Sequence, residues 1–257
     1  MIRGNICISI LILSLISVSN TFCSSSGEST DVNTADSSLL STDSPFNVEV
    51  SVTPDTESKK EDVFTYYQKL QPEYIPQYKI QQDKDGFHST SQSGEKLTAV
   101  VDIVNGYIEI MDDQMGEGHV KMQFVLFKKA DASDVIAISI QKHDGFGLSQ
   151  QSFVLHIISG KPADKTKEAF GSLSPWAFLP DDYAEEEHIV EDALPVLIDL
   201  PRKGTTAKAI VSTEKKFYYC SDKANEEQAI ACGVYGRLRR TSIDLKWNRQ
   251  KGVFEWE

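Results

Sequence analysis

Between residues 97 and 158 apolar side chains alternate with polar ones in a series of short runs, and between the first two runs stands Asn105–Gly106. Alternation of this kind gives a strand one buried face and cannot supply the continuous stripe that a helix needs. Asn-Gly between two alternating runs is the strongest short-range signal for a two-residue hairpin loop. Five strands are expected here, at 97–104, 107–111, 120–127, 135–141 and 152–158. The turn signals between them are Asn105–Gly106, Gly116–Gly118, Asp131–Asp134 and His143–Gly147. Short strands joined by short connections read as an antiparallel meander. A second set is expected at 195–200, 207–213, 216–220, 229–235, 241–247 and 253–256. A short strand is also expected at 46–52. Val63, Tyr66, Tyr67 and Leu70 sit at helical spacing, which predicts a helix over 59–74 that Pro72 and Pro76 end. The expected class is mainly β with minor α (α+β), with antiparallel sheets in two sequential strand-rich regions and one helix near residues 60–72. The first β region spans 46–160 and the second 194–257, with an irregular acidic bridge at 161–193.

A two-residue loop at Asn105–Gly106 fixes a register, which sets Val101 opposite Ile110, Asp102 opposite Glu109 and Ile103 opposite Ile108. Ile103, Ile108, Val101 and Ile110 then form a core face. On the other face two carboxylates oppose each other, an arrangement that destabilises a sheet unless they are solvated, paired with a cation, or share a proton or a metal. Asp102 and Glu109 are thus the pair placed for acid–base work or Ca²⁺ binding, and a solvated face with Lys121 between them is the structural alternative.

The N-terminus sets the expected compartment. Arg3 is the sole charge before Glu28, and Ile6–Val18 is an apolar run. Its length suits the core of a signal peptide and falls short of the roughly 20 residues that span a bilayer. Residues 1–22 are read as a signal peptide, with Ser17–Val18–Ser19 as a small-x-small cleavage pattern. Residues 24–44 hold eleven Ser or Thr and neither a base nor an aromatic residue, so 23–45 reads as a flexible tether. Cys23–Ser24–Ser25–Ser26–Gly27 after an apolar core resembles the start of a bacterial lipoprotein, in which the cysteine is lipidated. Phe22 departs from the small residue that such proteins carry there. Parity agrees with a modified Cys23: removal of Cys7 leaves three cysteines, and Cys220 with Cys232, expected on adjacent strands, forms a disulfide in an exported chain. They stand twelve positions apart, and closing that loop is worth roughly 3 kcal/mol on the chain-entropy model.

Charge narrows the partners. The net charge is -12, and loss of Arg3 makes the mature chain one unit more negative. Nucleic acid, which is held through Lys and Arg, is not an expected partner. Membrane contact is expected only through a lipid at Cys23, because an acidic chain is repelled by anionic headgroups. Seven acids fall within 181–192, and Asp181, Asp182 and Glu185 are the candidate cation ligands there. The segment lacks the glycine turn and ligand spacing of an EF-hand, so a solvated loop or exposed helix start is the competing reading. Asp85–Gly86 reads as a turn. Arg237, Arg239, Arg240, Lys246, Arg249 and Lys251 cluster near the C-terminus, yet Ile243, Leu245 and Trp247 alternate with polar residues as in an ordinary edge hairpin. No two histidines stand at metal-ligand spacing, and the sequence has no nucleophile elbow, phosphate loop, dinucleotide fingerprint or His-Glu-x-x-His. No cofactor is expected.

The expected role is therefore an exported or envelope-anchored, non-catalytic β-rich protein that binds a macromolecule or ligand through a sheet face. The alternatives are a secreted hydrolase working through Asp102 and Glu109, and a secreted inhibitor of another enzyme presenting Gly145–Gly147 or Ser174–Ala177.

Overall fold

The computed structural model describes residues 61–91, 93–115, 118–143 and 147–257, and these described residues all belong to one compact unit. The expected signal peptide, tether, Cys23 and strand at 46–52 lie outside the described residues.

Helix α1 (Val63–Tyr74) starts where Asp62 accepts a hydrogen bond from the backbone N–H of Thr65 at 2.8 Å, the usual role of an N-cap aspartate. Val63, Tyr66, Tyr67 and Leu70 are its buried residues. The helix runs two residues beyond Pro72, because in a last turn few backbone bonds remain to be lost. Gln71 closes the end, accepting from the N–H of Ile75 and donating to the carbonyls of Ile75 and Pro76.

Eight strands follow: β1 (Gln81–Asp83), β2 (Gly86–Thr90), β3 (Lys96–Asp102), β4 (Tyr107–Met115), β5 (Gly118–Lys128), β6 (Asp134–His143), β7 (Leu148–Ile158) and β8 (Lys161–Asp164). They form one sheet in sequence order, an antiparallel meander. Next come α2 (Thr166–Phe170), a 3₁₀ turn at Pro175–Phe178, α3 (Glu187–Ala193), β9 (Val196–Asp199), β10 (Thr206–Val211), α4 (Lys216–Tyr219), α5 (Glu226–Tyr235), β11 (Ser242–Asn248) and β12 (Val253–Glu255). The last four strands make a second antiparallel sheet in the order β12-β11-β10-β9. The fold is mainly β with a few helices, in two antiparallel sheets.

Both faces of the large sheet are covered, and strand alternation assigns each residue to a face. Met122 and Phe124 of β5, with Ile136 and Ile138 of β6, pack with Tyr67 and Leu70 of α1 and with Tyr78. Val125 and Phe127 of β5, with Val135 and Ala137 of β6 and Val154 of β7, share a core with Ala207, Leu245, Trp247 and Phe254 of the small sheet and with Val190 and Val234 of α3 and α5.

Three expectations are corrected. Residues 216–220 and 229–235 are not strands: the first are α4 and its C-cap Cys220, and the second fall in α5. Asn225 and Gln228 form a capping box, and Glu226 and Glu227 occupy the first turn, favourable to the helix dipole. Tertiary burial of Ala231, Val234 and Tyr235 completes α5. The third correction concerns the hairpin register. Asp102 pairs with Tyr107, Val101 with Ile108 and Val100 with Glu109, so the β3–β4 loop is Ile103–Gly106. Asp102 causes the longer loop by accepting from the backbone N–H of Asn105 at 3.2 Å and its side-chain amide at 2.9 Å. Gly106 has φ +65°, and a Cβ there would meet Leu126 at 3.2 Å. A slip of two residues keeps side-chain parity, so Val101, Ile108 and Ile110 stay on one face while Ile103 is displaced into the loop.

Candidate functional site

The revised register separates the two candidate carboxylates. Asp102 and Glu109 are no longer opposite each other, since the pairing partner of Asp102 is Tyr107. The Asp102 carboxyl sits below the usual carboxylate range, because Asn105 and then Arg202 (3.1 Å) bind its charged form. Glu109 accepts from Tyr107 Oη at 2.7 Å and lies 3.9 Å from Lys121 Nζ. Lys121 in turn is 2.6 Å from Asp199 on β9. Each carboxylate thus has its own partners.

That face of the sheet is closed over by β9, the edge strand of the small sheet. A row of polar side chains takes up its backbone groups. Gln123 Oε1 accepts from the N–H of Leu200 at 3.0 Å, and its Nε2 donates to Asp199 Oδ1 at 3.0 Å and to Tyr107 Oη at 3.0 Å. Ser139 Oγ donates to the carbonyl of Ile198 at 2.6 Å and Gln141 to the same oxygen at 3.0 Å. Gln150 Oε1 accepts from the N–H of Ile198 at 2.6 Å. The unpaired edge of β9 is thus satisfied by side chains instead of a neighbouring strand.

The acidic segment 181–192 spreads over several partners. Asp181 faces Arg239 at 3.6 Å, Glu185 accepts from the N–H of Glu186, and Asp182 is exposed. Among the described residues no group of three or more His, Cys, Asp and Glu is placed to hold a metal ion. The basic C-terminal residues are exposed, with Ile243, Leu245 and Trp247 buried between them. Across β10, β11 and β12, Lys208 pairs with Asp244 and Lys246 with Glu255, a charge-balanced solvent face. Ser174–Ala177 is a half-buried turn whose Trp176 leans on Tyr183 at 6.2 Å. Residues 144–146 lie outside the described residues.

Two places expose adjacent large apolar side chains, the β3–β4 turn at Ile103 and Val104 and the aromatic pair of α4, and the second was not singled out by the sequence. Phe217 of α4 is 91% exposed and Tyr218 is 61% exposed. Their helix is a single turn held from below. Tyr219 is buried, donates to the carboxylate of Asp192 and lies 6.5 Å from the ring of Tyr235. Lys215 Nζ binds Asp192 Oδ1 at 2.6 Å and the Asp192 carbonyl at 3.0 Å. Burial opposes ionisation of Asp192, but Lys215 and Tyr219 outweigh it and hold the carboxyl below its ordinary range. Burial and the nearby Asp192 push the Tyr235 hydroxyl up to about 12, and that hydroxyl donates to the Ala193 carbonyl at 2.5 Å. Cys220, the residue after α4, is bonded to Cys232 of α5 across a Cα–Cα distance of 5.0 Å.

Three open cavities meet around this knuckle. One of about 520 Å³ is lined by His143, Gly147, Glu214, Lys215 and the three aromatic residues 217–219. A second of about 650 Å³ lies beside Lys216, Phe217 and Cys220. The third, of about 520 Å³, runs between α3, α4 and α5. On the rim of the first, His143 Nε2 lies 3.0 Å from Glu214 Oε2, and its ring stacks on His119 with centroids 5.2 Å apart.

No protein-family model matches the chain, and no curated protein matches it. Among solved structures, a domain of an uncharacterized protein from Porphyromonas gingivalis W83 is similar, with 12% identity and a TM-score of 0.45 over 70% of this chain and 79% of that one. Among the described residues no helix is long and apolar enough to cross a membrane.

Proposed function

We propose that this chain is an exported, envelope-held binding protein whose contact surface is the α4 knuckle and whose partner is another protein. The exposure of Phe217 carries the reading. A ring with 91% of its surface in water projects as a knob, although its base borders two of the open cavities. Phenylalanine has no polar atom to reward that exposure, so the ring gains by entering a concave apolar cleft. A small ligand offers no such cleft, whereas aromatic anchors filling a partner's pocket are the usual centre of a protein–protein contact. The charges nearest the knob balance, with Glu214 and Asp222 beside Lys216 and Lys223 and with Lys215 taken by Asp192. This mixed polar rim around an aromatic centre is the ordinary anatomy of such an interface.

The support for export is the leader and the Ser/Thr-rich tether in the sequence, together with a disulfide of the kind that persists outside the cytosol. The test is photocrosslinking from position 217 in producing cells, with the exposed position 206 at the start of β10 as the control. A single adduct from 217 and none from 206 is expected, and the partner it identifies should bind the purified chain. Equal adducts from both positions would contradict a dedicated surface.

A further inference from the structure

The cavity between α3, α4 and α5 has a chemistry of its own. We infer that it receives a guanidinium side chain of the same protein partner, an inference that rests on the protein-binding reading above. Its walls are His188, Ile189 and Asp192 from α3, Tyr218 and Tyr219 from α4, and Glu227, Gln228 and Ala231 from α5, with the N-cap residue Asn225 beside them. The acidic members differ in state. Asp192 is already neutralised by Lys215. Glu227 is exposed in the first turn of α5, and among the described residues it has no cationic partner. Glu187 and Glu191 on α3 and Glu226 on α5 are exposed too. On a chain of net charge -12 these carboxylates exclude an anionic occupant.

The apolar surfaces decide the shape of the cation. Ile189 and the ring of Tyr218 offer a path for an aliphatic stem, with Glu227 available for its charged end. A guanidinium stacks on an aromatic face and donates in a planar fork to a carboxylate, whereas an ammonium is a compact, strongly hydrated point charge. About 520 Å³ holds one such side chain with water to spare. The partner therefore presents an arginine next to the apolar cleft that takes Phe217.

N-acetyl-L-arginine methylamide is the probe, titrated into the full mature chain and followed by backbone amide shifts. Saturable shifts confined to Tyr218, Glu227, Gln228 and the α3 residues beside them are expected, at millimolar dissociation constants. Glu227→Gln should weaken that binding about fivefold or more, with a melting temperature lowered by no more than the loss of one first-turn acid from α5 explains. N-acetyl-L-glutamate methylamide should give no saturable shift. Non-saturable shifts, equal binding of the two probes, or an unchanged constant in Glu227→Gln would overturn the inference. Phe217 does not line this cavity, so Phe217→Ala should leave arginine binding intact. A loss of knob recognition in Phe217→Ala and a loss of cation recognition in Glu227→Gln are thus separate results, and each reading fails on its own variant.

Discussion

The seam under β9 and the α4 knuckle invert the same rule in opposite directions. Under β9, Gln123 and Ser139 are polar and buried, and each meets a partner within the chain. At α4, Phe217 and Tyr218 are large and apolar in the main, yet they are exposed. The first exception resolves itself internally, because every buried donor and acceptor brought under β9 removes an unsatisfied backbone group. The second has no internal resolution, since burying the rings needs surface from elsewhere. A polar exception with partners therefore marks how the two sheets are joined, and an apolar exception without them marks where the molecule meets something else.

The two regions respond differently to perturbation. The largest effect is expected from Cys220→Ser with Cys232→Ser, which should cost about 3 kcal/mol in urea unfolding for a loop of this size. Hydrogen exchange should then speed up in α4 and α5 and stay slow at Leu200. Equal acceleration at both places would mean that the knuckle and the seam unfold as one unit. Gln123→Ala comes next, at about 2 kcal/mol, because it leaves the buried N–H of Leu200 without its acceptor. That variant should keep full affinity for the knuckle's partner, and a parallel loss of affinity would erase the distinction.

Acid supplies a finer contrast. The Asp192 carboxyl is depressed in the folded state, so its contribution is present above the ordinary carboxylate range and is lost as pH falls through the folded value. The urea midpoints of the parent and Asp192→Asn should differ at pH 6 and converge towards pH 3. A difference that persists at pH 3 would show that the Asp192 contacts stabilise without their charge. The smallest stability effect belongs to Phe217→Ala, within about 0.5 kcal/mol, as befits a ring with little to lose in the free chain.

The meander, its strand faces and the alternation at Ile243, Leu245 and Trp247 were legible because each is a local pattern of period two. The capping box of Asn225 and Gln228 was equally local and would have marked α5 as a helix, but near-continuous apolar residues at 229–235 read as a buried strand without it. Lys216–Tyr219 misled through its aromatic content, which favours strands in general. The register slip came from Asp102, whose bonds to Asn105 are a choice of loop that the Asn-Gly pair alone does not reveal. The charged partner of Asp102 is Arg202, a hundred residues away, and nothing near either residue announces it. Gln123, Ser139, Gln141 and Gln150 alternate as a solvent face would, and only the arrival of β9 makes them a seam. Phe217 and Tyr218 went unnoticed for the converse reason, since aromatic side chains are ordinarily core.

The most direct measurement is a paired titration of the crosslinked partner, once purified, against the parent chain and Phe217→Ala, with thermal unfolding of both. Affinity should fall about thirtyfold, the loss of roughly 2 kcal/mol at an anchoring ring, while the two melting temperatures coincide. Equal affinities for the two chains would show that the knob is not what the partner holds.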